Sequence, residues 1–131
     1  MKIIQFPAVI LVADDEPLIR MNTADTLAEL GFSTIEARDA EDALTKLKAH
    51  PEIAVLFTDI NMPGSFDGLE LARRVRGLRP DLQVIVTSGK MKPSQIEIPN
   101  GAMFISKPYT SRAIADLITS ARSEGVCTPC S

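Results

Sequence analysis

A chain of 131 residues with 45% hydrophobic and 24% charged side chains has the size and make-up of one globular domain, which excludes a disordered or fibrous polymer. A net charge of −3 with no basic stripe argues against a nucleic-acid binder, because phosphate backbones demand a cationic face. No apolar run is long enough to cross a bilayer, so no membrane insertion is expected.

The chain opens with Lys2 and an apolar run from Ile3 to Ala13, the way a secretory leader begins. Pro7 interrupts that run, and Asp14, Asp15 and Glu16 follow where a leader needs small neutral residues. Residues 8–13 are therefore expected to form a buried strand, and the default compartment is the cytoplasm. Pro17 suits a first helical turn, and Leu18, Met21, Ala24, Leu27 and Leu30 recur at helical spacing until Gly31 stops the helix. These apolar stripes are read as core-facing.

Residues 33–36 give a second strand, and Ala40, Ala43, Leu44 and Leu47 a second helix that ends before Pro51. His50, the single histidine, falls at that helix end and is read as a solvated end residue. A third strand over 53–58 precedes a helix carried by Leu71, Ala72, Val75 and Leu78, and a fourth strand spans 83–88. Between Lys90 and Asn100 the rhythm breaks: Pro93 and Pro99 leave room for one helical turn, so a fourth helix is expected to be short or irregular. Residues 103–106 form the last strand, and Ile114, Leu117, Ile118 and Ala121 the last helix, with Thr110 or Ser111 as its cap. Cys127 and Cys130 lie in the last five residues, where Gly, Thr and Pro neighbours argue for a reduced tail rather than a redox pair or zinc site.

Strands that alternate with helices, several of them apolar throughout, predict a parallel sheet covered on both faces. In such a sheet the functional crevice lies beyond the carboxyl ends of the strands. Those ends carry Asp14-Asp15-Glu16, Asp59-Ile60-Asn61-Met62-Pro63, Thr87-Ser88-Gly89 and Lys107-Pro108. Converging carboxylates repel one another unless a cation intervenes, and oxygen-only ligands suit Mg²⁺. A carboxylate so placed can be the nucleophile that becomes an aspartyl phosphate. Lys107 would add positive charge for phosphoryl oxygens and Thr87 a hydroxyl donor.

Together these segments resemble the response-regulator receiver family of two-component signalling. The resemblance rests on Leu11-Val12-Ala13-Asp14-Asp15-Glu16-Pro17, Asp59-Ile60-Asn61-Met62-Pro63-Gly64 with Asp67-Gly68-Leu69, Val84-Ile85-Val86-Thr87-Ser88 and Lys107-Pro108-Tyr109. It implies a flavodoxin-like doubly wound five-stranded sheet of order 2-1-3-4-5, with residues 1–126 as the receiver and 127–131 as a flexible tail. It also implies phosphorylation of Asp59, and Mg²⁺ held by Asp15, Asp59, the Asn61 carbonyl and, through water, Asp14. Lys107 pairs with Asp59, Thr87 and Phe104 act as the switch pair, and the bond before Pro108 is cis. The implied donor is a histidine kinase or histidine phosphotransfer protein. The implied product is a stand-alone switch that controls a downstream protein target of unspecified identity.

Three features depart from the family pattern: the extra Gly64-Ser65-Phe66 in the loop after Pro63, Gly89 after the switch region, and the irregular segment from Lys90. Two other functions compete. A Mg²⁺-dependent phosphatase would use Asp59 as nucleophile, but Asn61 stands where such enzymes commonly place a second acid. A binding module that no longer takes phosphate would suit the unusual fourth segment, against which the complete acidic set counts.

Overall fold

The computed structural model describes residues 8–89, 98, 99 and 101–127, the last helix by backbone alone from residue 120. Five strands, β1 (Val9–Ala13), β2 (Ser33–Ala37), β3 (Ile53–Asp59), β4 (Gln83–Ser88) and β5 (Ala102–Ser106), form one sheet in the order β2-β1-β3-β4-β5. Every neighbouring pair is parallel. The helices α1 (Pro17–Glu29), α2 (Ala40–Ala49), α3 (Gly68–Leu78) and α4 (Ser111–Cys127) connect or follow the strands. The expected fold class and strand order are both observed.

The two-residue period of a strand explains how an uninterrupted apolar run serves two cores. In β1, Ile10 and Val12 join Ala24, Leu27, Ile114 and Ile118, the side covered by α1 and α4. Leu11 and Ala13 join Ala43, Leu47, Leu71 and Val75, the side covered by α2 and α3. Local caps set the helix starts. Asp39 Oδ1 accepts from Asp42 N–H at 2.8 Å, Asp67 Oδ1 from Glu70 N–H at 3.0 Å, and Thr110 Oγ1 from Ala113 N–H at 3.0 Å. Pro17 opens α1 as expected.

One sequence expectation fails in part. The stripe on α1 does not bury along its whole length: Ala24 and Leu27 are core, whereas Leu18 is 82% and Met21 49% exposed. Helical periodicity marks a face but not where its neighbours stop. The first turns of α1 face the groove beside Lys107, Pro108 and Tyr109 rather than a packed layer. The irregular fourth segment, residues 90–97 and 100, lies outside the described residues. α4 runs through Cys127, so the expected tail begins as helix, and residues 128–131 lie outside the described residues. Among the described residues no helix is long and apolar enough to cross a membrane.

Candidate functional site

The strand order decides which strand ends meet. β1 and β3 are central neighbours and β4 lies beside β3, so Asp14, Asp15, Asp59 and Thr87 come together at one edge of the sheet. Carboxylate oxygens of Asp14, Asp15 and Asp59 all lie within 4.8 Å of one another. Asp59 is 6% exposed and Asp14 4%, while Asp15 is half-buried. Lys107, carried past the end of β5, places Nζ 2.8 Å from Asp59 Oδ2. Asp59 Oδ1 accepts the Asn61 N–H at 3.1 Å, which curls the loop after β3 back over the carboxylate. Asp59 and Thr87 are register partners, and Ile60 N–H donates to the Thr87 carbonyl at 2.9 Å. The Lys107–Pro108 peptide bond is cis.

The electrostatics follow from burial. The Asp14 carboxyl is pushed above the usual carboxylate range, chiefly by desolvation, opposed by the Glu16 N–H on its Oδ1 and helped by the nearby Asp59 charge. Lys107 is held above the ordinary lysine range; burial works against its charge, but the hydrogen bond and charge of Asp59 outweigh it. The pocket thus keeps the Lys107 ammonium firmly charged beside the carboxylates. Thr87 is buried, and its Oγ1 has no hydrogen-bond partner among the described residues. A buried hydroxyl left unpaired costs about 1–3 kcal/mol, so it is a donor waiting for an acceptor beside Asp59.

A raised Asp14 pKa has a stability consequence of definite sign. Between the ordinary carboxylate value and the raised native one, the folded chain binds more protons than the unfolded chain, so stability falls as pH rises through that window. Asp14→Asn is therefore expected to stabilise the protein in chelator at neutral pH, because it removes a buried charge. The gain should vanish at acid pH, where Asp14 is protonated. Thermal unfolding across pH checks this, and an equal or lower melting temperature at neutral pH would contradict it.

Phe104 stands apart from the cluster. It lies on β5 opposite Val86, half-buried against the core on the α2 and α3 side. Two of the extra loop residues make contacts of their own. Ser65 Oγ donates to Glu41 Oε2 at 2.8 Å, and the Arg74 guanidinium sits 4.0 Å over the Phe66 ring. A Cβ on Gly89 would sit 3.4 Å from Lys107 Cβ, an ordinary contact.

The response regulator receiver domain family model matches residues 10–119. The chain belongs to that family. It is 31% identical over 113 residues to the response regulator receiver protein CpdR of Brucella abortus, covering 83% of this chain and 92% of that one. The receiver domain protein (CheY-like) of Methanospirillum hungatei superposes with a TM-score of 0.79 at 27% identity, covering 89% of this chain and 94% of the other. Response regulator TrrA of Thermotoga maritima, solved in complex with Mg²⁺-BeF, gives 0.78 at 27%, covering 86% and 97%. Other curated relatives are far longer: the chain spans 5% of a fission-yeast histidine kinase and 25% of a rhizobial transcriptional regulatory protein.

As a receiver domain the chain is of the phosphoacceptor type that serves two-component signalling. Sequence reasoning on this receiver missed two contacts around the cluster. Ser88 Oγ donates to Asn61 Oδ1 at 2.9 Å, joining the loop after β3 to the end of β4. Tyr109 packs edge-on against Phe57, with centroids 5.2 Å apart, and its hydroxyl lies 3.3 Å from Thr23 Oγ1 on α1. Neither has a local sequence signature, since the partners are 27 and 86 residues apart.

Proposed function

We propose that Asp59 is the residue phosphorylated, and that the chain works as a Mg²⁺-dependent conformational switch. The observation that carries this reading is the carboxylate cluster of Asp14, Asp15 and Asp59 with Lys107 already paired to Asp59. The cluster suits Mg²⁺: its donors are all oxygen, they lie close enough for one small ion, and like-charge repulsion favours one. Asp15 and Asp59 would hold the ion with the Asn61 carbonyl, and buried Asp14 would support them. When bound, Mg²⁺ neutralises the carboxylates and the incoming phosphoryl oxygens.

Phosphoryl transfer then needs little from the protein besides position and charge. The Asp59 carboxylate forms a new oxygen–phosphorus bond as the donor's phosphorus–nitrogen bond breaks, the imidazole nitrogen of a phosphohistidine leaving with the electron pair. Lys107 follows the new anion, keeping a charged hydrogen bond through the transfer. Thr87 Oγ1 gains the acceptor it lacks, so the phosphorylated chain favours the state in which that bond is made. Phe104, one strand over, is the residue read as following Thr87. Asn61 takes the place, two residues after the nucleophile, where such phosphatases commonly carry a second acid, so the chain is read as a switch and not as a phosphatase.

A phosphohistidine on a protein has to reach Asp59 past the first turns of α1. There the exposed Leu18 and Ile19 line the groove together with Lys107, Pro108 and Tyr109. Leu18→Glu is expected to slow transfer from a kinase or phosphotransfer domain by about tenfold, the loss of one apolar anchor. Labelling by acetyl phosphate should stay at the wild-type rate. Equal losses with both donors would place the defect in the site instead. The switch itself is tested by acetyl phosphate and Mg²⁺: acid-stable, base-labile acyl phosphate should form, and chelator should prevent it.

A further inference from the structure

Asp14 is held at three points. Its N–H donates to the Ala37 carbonyl at 3.1 Å, its Oδ1 accepts Glu16 N–H at 2.9 Å, and its carbonyl accepts Arg20 Nη1 at 3.0 Å. Asp15 is held differently, for its carboxylate makes no hydrogen bond or ion pair among the described residues. Its place in the cluster is therefore set by the backbone that presents it. The carbonyl that Arg20 grips belongs to the planar peptide joining Asp14 to Asp15, so fixing that oxygen fixes the plane from which Asp15 projects. Arg20 is itself anchored. Its Nε donates to Glu36 Oε1 on β2 at 3.0 Å, and its side chain is only 16% exposed. The Glu36 carbonyl in turn accepts Lys46 Nζ at 3.0 Å.

We propose that Arg20 is a positioning residue for the Asp15 carboxylate, acting through the Asp14–Asp15 peptide, with Glu36 holding the guanidinium in place. The inference rests on the reading of the cluster as a Mg²⁺ site. A guanidinium donates along two directions at once, to Asp14 and to Glu36, which a lysine ammonium of equal charge does not reproduce. Charge and geometry predict opposite results. As a positive charge beside an anionic pocket, Arg20 opposes cation binding, and its removal would tighten Mg²⁺. As a positioning group, its removal loosens Mg²⁺.

The experiment titrates Mg²⁺ into the full chain by calorimetry, for wild type, Arg20→Lys, Arg20→Gln, Glu36→Gln and Asp59→Asn. Thermal unfolding in chelator is followed in parallel to confirm that each variant is folded at the titration temperature. Arg20→Lys and Arg20→Gln should each weaken Mg²⁺ by about tenfold, the usual effect of losing a partner that orients a metal ligand. Glu36→Gln should weaken it by a smaller factor. Unchanged affinity in Arg20→Lys, or tighter binding in Arg20→Gln, would overturn the proposal and leave Arg20 a mere charge. Equal Mg²⁺ binding by wild type and Asp59→Asn would instead remove the underlying site, and the positioning role with it.

Discussion

Asp59→Asn should abolish phosphoryl incorporation, to below about one-thousandth of the wild-type rate, because an amide oxygen carries no charge and is a poor nucleophile. The same change should leave the fold intact. It removes one of three carboxylates crowded within 4.8 Å, relieving repulsion, while Lys107 is exposed enough to be solvated without its partner. Incubation with acetyl phosphate and Mg²⁺, read by intact-mass spectrometry, measures the first effect; thermal unfolding in chelator measures the second. A melting temperature at or above wild type with no acyl phosphate is the expected pair of results. Equal labelling of the two proteins would remove Asp59 from its proposed role.

The second large effect is structural and lies on the other side of the same aspartate. Gly68 opens α3 where the helix crosses the end of β3, and its N–H donates to the Ile60 carbonyl at 3.0 Å. A Cβ on Gly68 would stand 2.0 Å from the Asp59 carbonyl oxygen and 2.9 Å from Ile60 Cα. Both neighbours are backbone, so no side chain can swing aside; helix and strand must separate. Gly68→Ala is expected to cost about 3 kcal/mol, the upper end for overpacking a tight contact. It should also slow Asp59 phosphorylation, because the strand that carries the acceptor is displaced. Gly77→Ala is the matched control. Nothing lies within 4 Å of its added Cβ, and alanine in an exposed helix should stabilise by about 0.5–1 kcal/mol. Chemical denaturation of both variants checks the contrast, and similar stabilities would contradict it.

Much of this molecule is legible in short stretches of chain. Ile10-Leu11-Val12 and Val84-Ile85-Val86 read as strands buried on both faces, because an unbroken apolar run satisfies a two-residue period on each side. Pro17, Gly31, Pro51 and Pro80 punctuate the helices by backbone constraints that act within one or two residues. The chemistry of the site was legible too, as acids, a hydroxyl and a lysine at successive strand ends. Less legible were the features that depend on a distant neighbour. Leu18 fits a helical stripe as well as Ala24 and Leu27 do, yet the structure leaves it exposed beside Lys107. Arg20 carries no local signal of its role, because its partner Glu36 on β2 lies 16 residues away.

The order of apolar and polar residues therefore determined by itself the elements, the two-sided parallel sheet and the list of groups able to handle phosphate. Periodicity, prolines and caps act over a turn or two and need no tertiary partner to be read. The fold alone decided that β1 and β3 lie side by side, which joins the Asp14-Asp15 pair and the distant Asp59 into one anionic pocket. It also decided that the Thr87 hydroxyl would be buried without a partner among the described residues, and that Arg20 would grip the peptide between two of those acids. Such contacts join residues far apart in the chain, and their energies depend on burial and on distances that exist only once the sheet has assembled.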